Sequence, residues 1–304
     1  MSLERKVAII GAAGMLGHAM QSVFPEALLF DANPGDDACM AVLDIAKRGQ
    51  VFNALDHLSK GDCVINVAAY TNVDGVELQS NIKVSYDRNV QGPIWLGQLI
   101  SRKGIRVVHF STAYVFDGHN APYSEQDTIN PVNQYGKHKF LGESPILNEG
   151  GIVLRTDMLY GPHGKKNVVD RIVGKAKTEG TVCGVVDQHG SPTFTRTLAG
   201  ITKQLMELWE KESSIGGNIY HATSRNGCSG AELAQEIVRI LGIGRVQETT
   251  WRDYGQGKKM ARRPRDCRLN TAKLNALGIA TPDWRSDLED YVRNYLMNKE
   301  SVVA

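Results

Sequence analysis

The 304-residue sequence contains no apolar run long enough to cross a bilayer, and no secretory core precedes its first apolar segment. A cytoplasmic location is therefore expected. The sequence also lacks an excess of either charge: 35 Lys and Arg stand against 33 Asp and Glu, for a net charge of +2. Such a balance builds no field that would draw nucleic acid or an anionic membrane, and neither is expected as a partner. Cysteine is sparse. Cys39, Cys63, Cys183, Cys228 and Cys267 are odd in number, scattered and without metal-ligand spacing. They read as reduced, packed thiols, and no metal centre is expected. No segment repeats at a period of about 20 to 50 residues, and no low-complexity linker divides the chain. What remains is an ordinary globular composition, 42% hydrophobic and 22% charged, at a length suited to one or two domains.

Lys6 to Ile10 (KVAII) is a short apolar run that reads as a buried strand. It leads into Gly11-Ala-Ala-Gly14-Met15-Leu16-Gly17 and then helix-like sequence to Val23. Glycines between a strand and a helix let the backbone approach a pyrophosphate at the positive end of the helix. Ala27 to Phe30 reads as a second strand ending at Asp31, about 20 residues beyond Gly11. An acid there accepts hydrogen bonds from an adenosine ribose and disfavours a 2′-phosphate; a solvated loop carboxylate is the equal alternative. Asp44-Ile45 is placed beside the adenine. Cys63 to Val67 is a third strand, opening into small residues at Ala68-Ala69 before Tyr70. These suit either a close cofactor or tight strand–helix packing. An amphipathic stretch from about Ser80 to Arg102 precedes another strand at Arg106 to Phe110 (RVVHF), and Gly151 to Arg155 is the next apolar run.

Alternating strands and helices over residues 1–155 predict a doubly wound parallel sheet, an α/β dinucleotide-binding domain. Beyond it the alternation lapses, and residues 156–304 are expected to form mainly a smaller α/β substrate domain. The chain is expected to return to the first domain around 194–224. Arg262 and Arg263 in a basic loop suit either a diphosphate or open solvent.

The chemistry concentrates between Ser111 and Glu143, where STAYVFDG is followed by PVNQYGKHKFLGE. If Tyr135 begins a helix, Lys139 lies one turn along the same face. A free tyrosine titrates near about pH 10, and a neighbouring ammonium is expected to lower that value and fit Tyr135 for proton transfer. Thr112, at the strand end, is placed to hold a reacting carbonyl.

These motifs stand in one order with NVAAYTNVD, LRTDMLYG, DQHGSPT and RRPRDCRLN. The whole resembles the extended short-chain dehydrogenases and, among them, the dTDP-4-dehydrorhamnose reductase family, from Lys6 to the Pro282–Arg285 segment. The resemblance implies a Rossmann fold, NADPH or NADH as cofactor, and hydride transfer to the 4-keto group of a nucleotide sugar. It implies that Gly11, Gly14, Met15, Leu16 and Gly17 cradle the diphosphate, with Asp31, Asp44 and Ile45 flanking the adenosine. Ala68, Ala69 and Tyr70 would line the cofactor cleft, and Thr112, Tyr135 and Lys139 would form the catalytic set, Lys139 also reaching the nicotinamide ribose. Val73, Ala113, Tyr114, Met158, Asn167 and Arg263 would face the nucleotide sugar. Two positions depart from the family: Ala113 replaces an aspartate, and Met158 replaces a tryptophan, with Asp157 new beside it. Ala19 stands where some members carry a metal-binding glutamate, so a metal-linked dimer is not expected, although a homodimer stays open. The resemblance leaves two other readings, a reductase of a different 4-keto nucleotide sugar and a non-catalytic subunit like the methionine adenosyltransferase β-subunit.

Overall fold

Five short apolar runs, flanked by two three-residue edge strands, build the centre of the protein. The computed structural model describes residues 5–163 and 167–297. Positions 1–4, 164–166 and 298–304, at the outer ends of the two expected domains and in the polar loop before Asn167, lie outside the described residues. The first half runs β1 (Val7–Ile10), α1 (Met15–Val23), β2 (Leu28–Asp31), β3 (Met40–Val42), α2 (Arg48–Ala54), β4 (Cys63–Asn66) and α3 (Gln79–Tyr86). It continues with α4 (Gly92–Lys103), β5 (Arg106–Thr112), α5 (Gln134–Leu141), α6 (Ser144–Leu147) and β6 (Ile152–Thr156). Then follow β7 (Leu159–Tyr160), α7 (Val168–Glu179), β8 (Thr181–Val185), β9 (His189–Gly190), β10 (Thr193–Phe194), α8 (Thr195–Lys211) and β11 (Ile219–His221). The chain closes with β12 (Cys228–Ser229), α9 (Gly230–Leu241), β13 (Arg245–Thr249), α10 (Trp251–Tyr254), α11 (Ala272–Ala276) and α12 (Trp284–Tyr291).

Seven strands form one parallel sheet in the order β11-β6-β5-β4-β1-β2-β3. The doubly wound class read from the sequence is the architecture found. A buried parallel strand carries apolar residues on both faces, because helices cover both. Ile9, Ile65, Val108 and Ile152 face one core with Met20 of α1 and Leu198, Ile201 and Leu205 of α8. Their neighbours Ala8, Ile10, Val64, Val107 and Val153 face the other with Val51 of α2 and Leu96, Leu99 and Ile100 of α4. β3 is the strand that periodicity did not reveal; only Met40 of its three residues is buried.

A separate core serves the later half. Tyr160, Val169, Val173, Phe194, Leu233, Ile237, Trp284 and Leu288 pack together, away from the sheet. The helices that build it have strong end signals. In α9, Ser229 Oγ accepts from the Glu232 N–H while the Glu232 side chain accepts from the Ser229 N–H, and Gly242 closes the helix in the left-handed region. Asn167 caps α7 by accepting from the Asp170 N–H at 2.9 Å. α8 leads back to β11, which pairs with β6 at the sheet edge. No helix among the described residues is long and apolar enough to cross a membrane.

Candidate active site

The C-terminal ends of β1, β2, β4, β5 and β6 open into a cleft of about 810 Å³. This is where a doubly wound sheet places its ligands. At one side the glycine turn leaves β1 with Gly11 at φ 91°, a value that L side chains rarely adopt. A Cβ on Gly17 would lie 2.3 Å from the Gly11 carbonyl oxygen, so the turn and α1 meet with no room for a side chain. Gly14 stands at the N-terminus of α1 without a side-chain cap, which leaves helix-end N–H groups for an anion. Gly11, Gly14, Met15, Leu16 and Gly17 all line the cleft.

Asp31, at the end of β2, is held on the turn: its carboxylate accepts from the Ala13 N–H at 3.1 Å and the Asn33 N–H at 2.9 Å. Asp44 lies further along the cleft, accepts from the Ala46 N–H at 3.1 Å, and faces Arg88 at 3.9 Å. Ile45 is buried and packs against Gly92. Ala68 and Ala69 line the floor beside the glycine turn, while Tyr70 does not line the cleft. Tyr70 is anchored through its backbone to Asn89 at 2.9 and 3.0 Å, and its hydroxyl points at Gly75.

Thr112, Tyr135 and Lys139 all line this same cleft. Thr112 is the last residue of β5, and its Oγ1 accepts from the Tyr114 N–H at 3.2 Å, turning the chain. Asn133 caps α5 at Gly136, so Tyr135 stands in the first turn and Lys139 one turn on. Lys139 is only 2% exposed. Its Nζ donates to the Phe110 carbonyl at 2.5 Å and lies 3.5 Å from His109 Nε2. Burial lowers the Lys139 pKa to about 8, and the nearby Glu143 carboxylate limits the fall. His109 is likewise held well below its usual value by burial and by Lys139, so it is neutral.

Tyr135 corrects one expectation. Burial pushes its phenol up to about 12; the facing Thr112 hydroxyl opposes that rise and Asp157 adds to it. Lys139 does not lower it, because the ammonium is turned toward the Phe110 carbonyl. The phenol is therefore protonated at neutral pH. Beneath this pair, Arg155 and Glu143, each 1% exposed, form a two-point salt bridge at 2.9 and 2.7 Å. Ser111 Oγ donates to the same carboxylate at 2.5 Å.

The expected sugar-nucleotide residues divide. Val73, Tyr114, Met158 and Asn167 line the cleft. Tyr114 meets the Tyr135 ring edge-on at 6.3 Å between centroids. Met158 sits at φ 42°, and Asn167 Nδ2 donates to the Gly161 carbonyl at 3.1 Å. Ala113 does not line the cleft; it is fully buried in an apolar cluster with Val115, Phe116, Tyr123 and Cys267. Arg263 does not line it either. It pairs with Asp74 at 2.9 Å and donates to the Ala261 carbonyl at 3.2 Å. Residues absent from the expected set also line the cleft, notably Ala32, Asn33, Thr71, Arg88 and Asp157. Ala32 and Asn33 were legible as the direct continuation of Asp31, whereas Arg88 carries no signal without the fold.

The chain matches the family model for the RmlD substrate binding domain over residues 5–297. It is 31% identical over 301 residues to a dTDP-4-dehydrorhamnose reductase of Aggregatibacter actinomycetemcomitans, covering 95% of this chain and 99% of that one. The crystal structure of dTDP-4-dehydrorhamnose reductase from Bacillus anthracis in complex with NADP superposes with a TM-score of 0.81. It is 26% identical and covers 95% of this chain and 99% of its own. Similarity extends to methionine adenosyltransferase 2 subunit beta of Danio rerio, 28% identical over 91% of this chain and 86% of that protein.

Proposed function

The chain belongs to the RmlD substrate-binding-domain family, and from that premise we propose that it is an NAD(P)H-dependent reductase of a nucleotide-sugar ketone, converting dTDP-4-dehydro-L-rhamnose to dTDP-L-rhamnose. The observation that carries this reading is convergence: Thr112, Tyr135 and Lys139 open into the same cleft as the glycine turn. The turn suits a dinucleotide because a side chain at Gly11 would strike the Ala68 backbone and one at Gly17 the carbonyls of Gly11 and Ala12, so the tight strand-to-helix turn that offers its N–H groups to a diphosphate needs glycine at both. Gly11, Gly14, Met15, Leu16 and Gly17 would hold the diphosphate of NADPH or NADH. Asp31, Asp44 and Ile45 would flank the adenosine, and Lys139 would reach the nicotinamide ribose. When bound, the reduced nicotinamide supplies the hydride.

The protein's own part is orientation and proton delivery. Thr112 hydrogen-bonds the ketone oxygen, and Tyr135, protonated at neutral pH, gives its proton to that oxygen as the carbon is reduced. Lys139, charged below about pH 8 with its Nζ held on the Phe110 carbonyl, would anchor the nicotinamide ribose beside the phenol rather than shift the phenol's own titration. Val73 and Tyr114 from the first half of the chain, with Met158 and Asn167 from beyond β6, meet the nucleotide sugar. On this reading the enzyme works in the cytoplasm. A non-catalytic subunit would have no use for a phenol, an ammonium and a hydroxyl brought together in a cleft. The test is isotopic: with cofactor deuterated at the transferable position, deuterium is expected at C4 of the rhamnosyl product. Turnover without deuterium at C4 would refute the reading.

A further inference from the structure

One carboxyl in the cleft has no part in the proton transfer just described. Asp157 directly follows β6, precedes Met158, lines the cleft and is 6% exposed. Its Oδ2 accepts from the Ser191 N–H at 2.8 Å and from Cys267 Sγ at 3.4 Å. No salt bridge to Asp157 is seen among the described residues; besides those donors the Met158 N–H bears on it favourably, and Asp266 bears on it with like charge. An ionised carboxylate has about four acceptor sites, so this one retains acceptor capacity toward the cleft. Its wall is built closely around it. A Cβ at Gly190 would lie 2.5 Å from Oδ2 and 2.5 Å from Met158 Sδ, so residue 190 is small by necessity and the carboxyl is held in place.

We propose that Asp157 is the specificity-determining residue of this cleft, accepting a hydrogen bond from the sugar hydroxyl on the carbon next to the ketone. The proposal rests on the reductase reading. Its charge bears on the phenols of both Tyr135 and Tyr114, so it lies within electrostatic reach of the proton donor. A sugar whose ketone meets Tyr135 has one hydroxyl-bearing neighbour carbon, and that hydroxyl is the donor an underused carboxylate selects. A sugar without it leaves a buried polar group unpaired, which is the strongest form of discrimination a site achieves.

The recognition is also pH-dependent. Burial raises the Asp157 pKa to about 6. The titratable groups facing it are Cys267 and Asp266 from the segment after Arg263, Tyr114 from the turn after β5, Tyr135 from α5, and Cys228 from β12. Above about pH 6 the carboxylate accepts fully; below it, protonation removes charge and substrate KM rises.

The experiment compares the natural substrate with its analogue deoxygenated at that carbon, using the full chain with NADPH. Wild type is expected to disfavour the analogue by about 100-fold or more in kcat/KM. Asp157→Ala is expected to raise KM for the natural substrate by about 10-fold or more, to change kcat little, and to favour neither compound. NADPH affinity, read by its fluorescence, is expected to stay unchanged. Should Asp157→Ala not fold, Asp157→Asn keeps an acceptor for the Ser191 N–H and is expected to lose most of the discrimination and the rise in KM below pH 6. Discrimination persisting in a folded variant would overturn the proposal alone. Absence of any turnover by wild type would overturn the reductase reading, and the proposal with it.

Discussion

Replacing Glu143 with glutamine tests how the site is held. The carboxylate accepts two bonds from Arg155 and one from Ser111, in a place where both partners of the salt bridge are 1% exposed. Arg155 has little else. Its Nη1 has no hydrogen-bond partner among the described residues, and its remaining support is the face of Phe116 at 5.3 Å. His221, lowered to about 3 by burial and then by Arg155, is neutral and offers no countercharge. Removing one member of such a pair strands a buried charge at a cost of about 3–5 kcal/mol. At roughly 2–4 °C per kcal/mol for a chain approaching this size, Glu143→Gln is expected to lower Tm by about 6–20 °C at pH 7, followed by circular dichroism. Replacing the pair together, Glu143→Leu with Arg155→Met, is expected to recover much of the loss. A second readout comes from Lys139, whose pKa of about 8 Glu143 supports. Without that charge the alkaline limb of turnover is expected to move to lower pH. A Tm shift under about 2 °C, or an unmoved alkaline limb, would refute the reasoning.

Three further outcomes follow from the geometry. Gly17→Ala places a methyl carbon 2.3 Å from the Gly11 carbonyl, so equilibrium fluorescence is expected to show loss of cofactor binding by more than about 10-fold, with a fall in stability of about 1–3 kcal/mol. Ala113→Asp puts a carboxylate into a fully buried apolar cluster. It is expected to destabilise the protein by several kcal/mol in urea unfolding rather than simply retune substrate KM. Lys139→Met is expected to stabilise the cofactor-free protein, because the buried lysine has a lowered pKa. Its desolvation penalty is present in full below about pH 8 and vanishes as pH rises past the ordinary 10.5. The gain, up to about 3 kcal/mol at pH 7 from a shift of that size, is expected to shrink by pH 10.

How much of this was legible varies with the range of the interaction. The strands β1, β4, β5 and β6 were readable because a strand buried on both faces is a continuous apolar run. The glycine turn was readable because its constraint is local. β3 was not, since an edge strand with one buried residue leaves no pattern. The i, i+4 spacing correctly put Tyr135 and Lys139 on one helix face. It said nothing of burial or of the Phe110 carbonyl, and those decide that Lys139 is weakened while the phenol is raised. Arg263 shows the same limit: adjacent arginines suit a diphosphate, but Asp74 claims this one from far along the chain. Ala113 was read as a gap in the pocket, whereas its side chain packs with Cys267 in an apolar cluster behind the cleft.

The central claim is that a phenol held protonated by burial delivers the proton in a ketone reduction. It is tested most directly by the loss of reduced-cofactor absorbance on mixing with dTDP-4-dehydro-L-rhamnose, for wild type and Tyr135→Phe side by side. Rapid oxidation by wild type is expected, slowed by about 10²–10⁴-fold in the variant, with cofactor affinity within about twofold. Equal rates in the two proteins, or no oxidation by a wild-type protein that binds cofactor, would contradict the account.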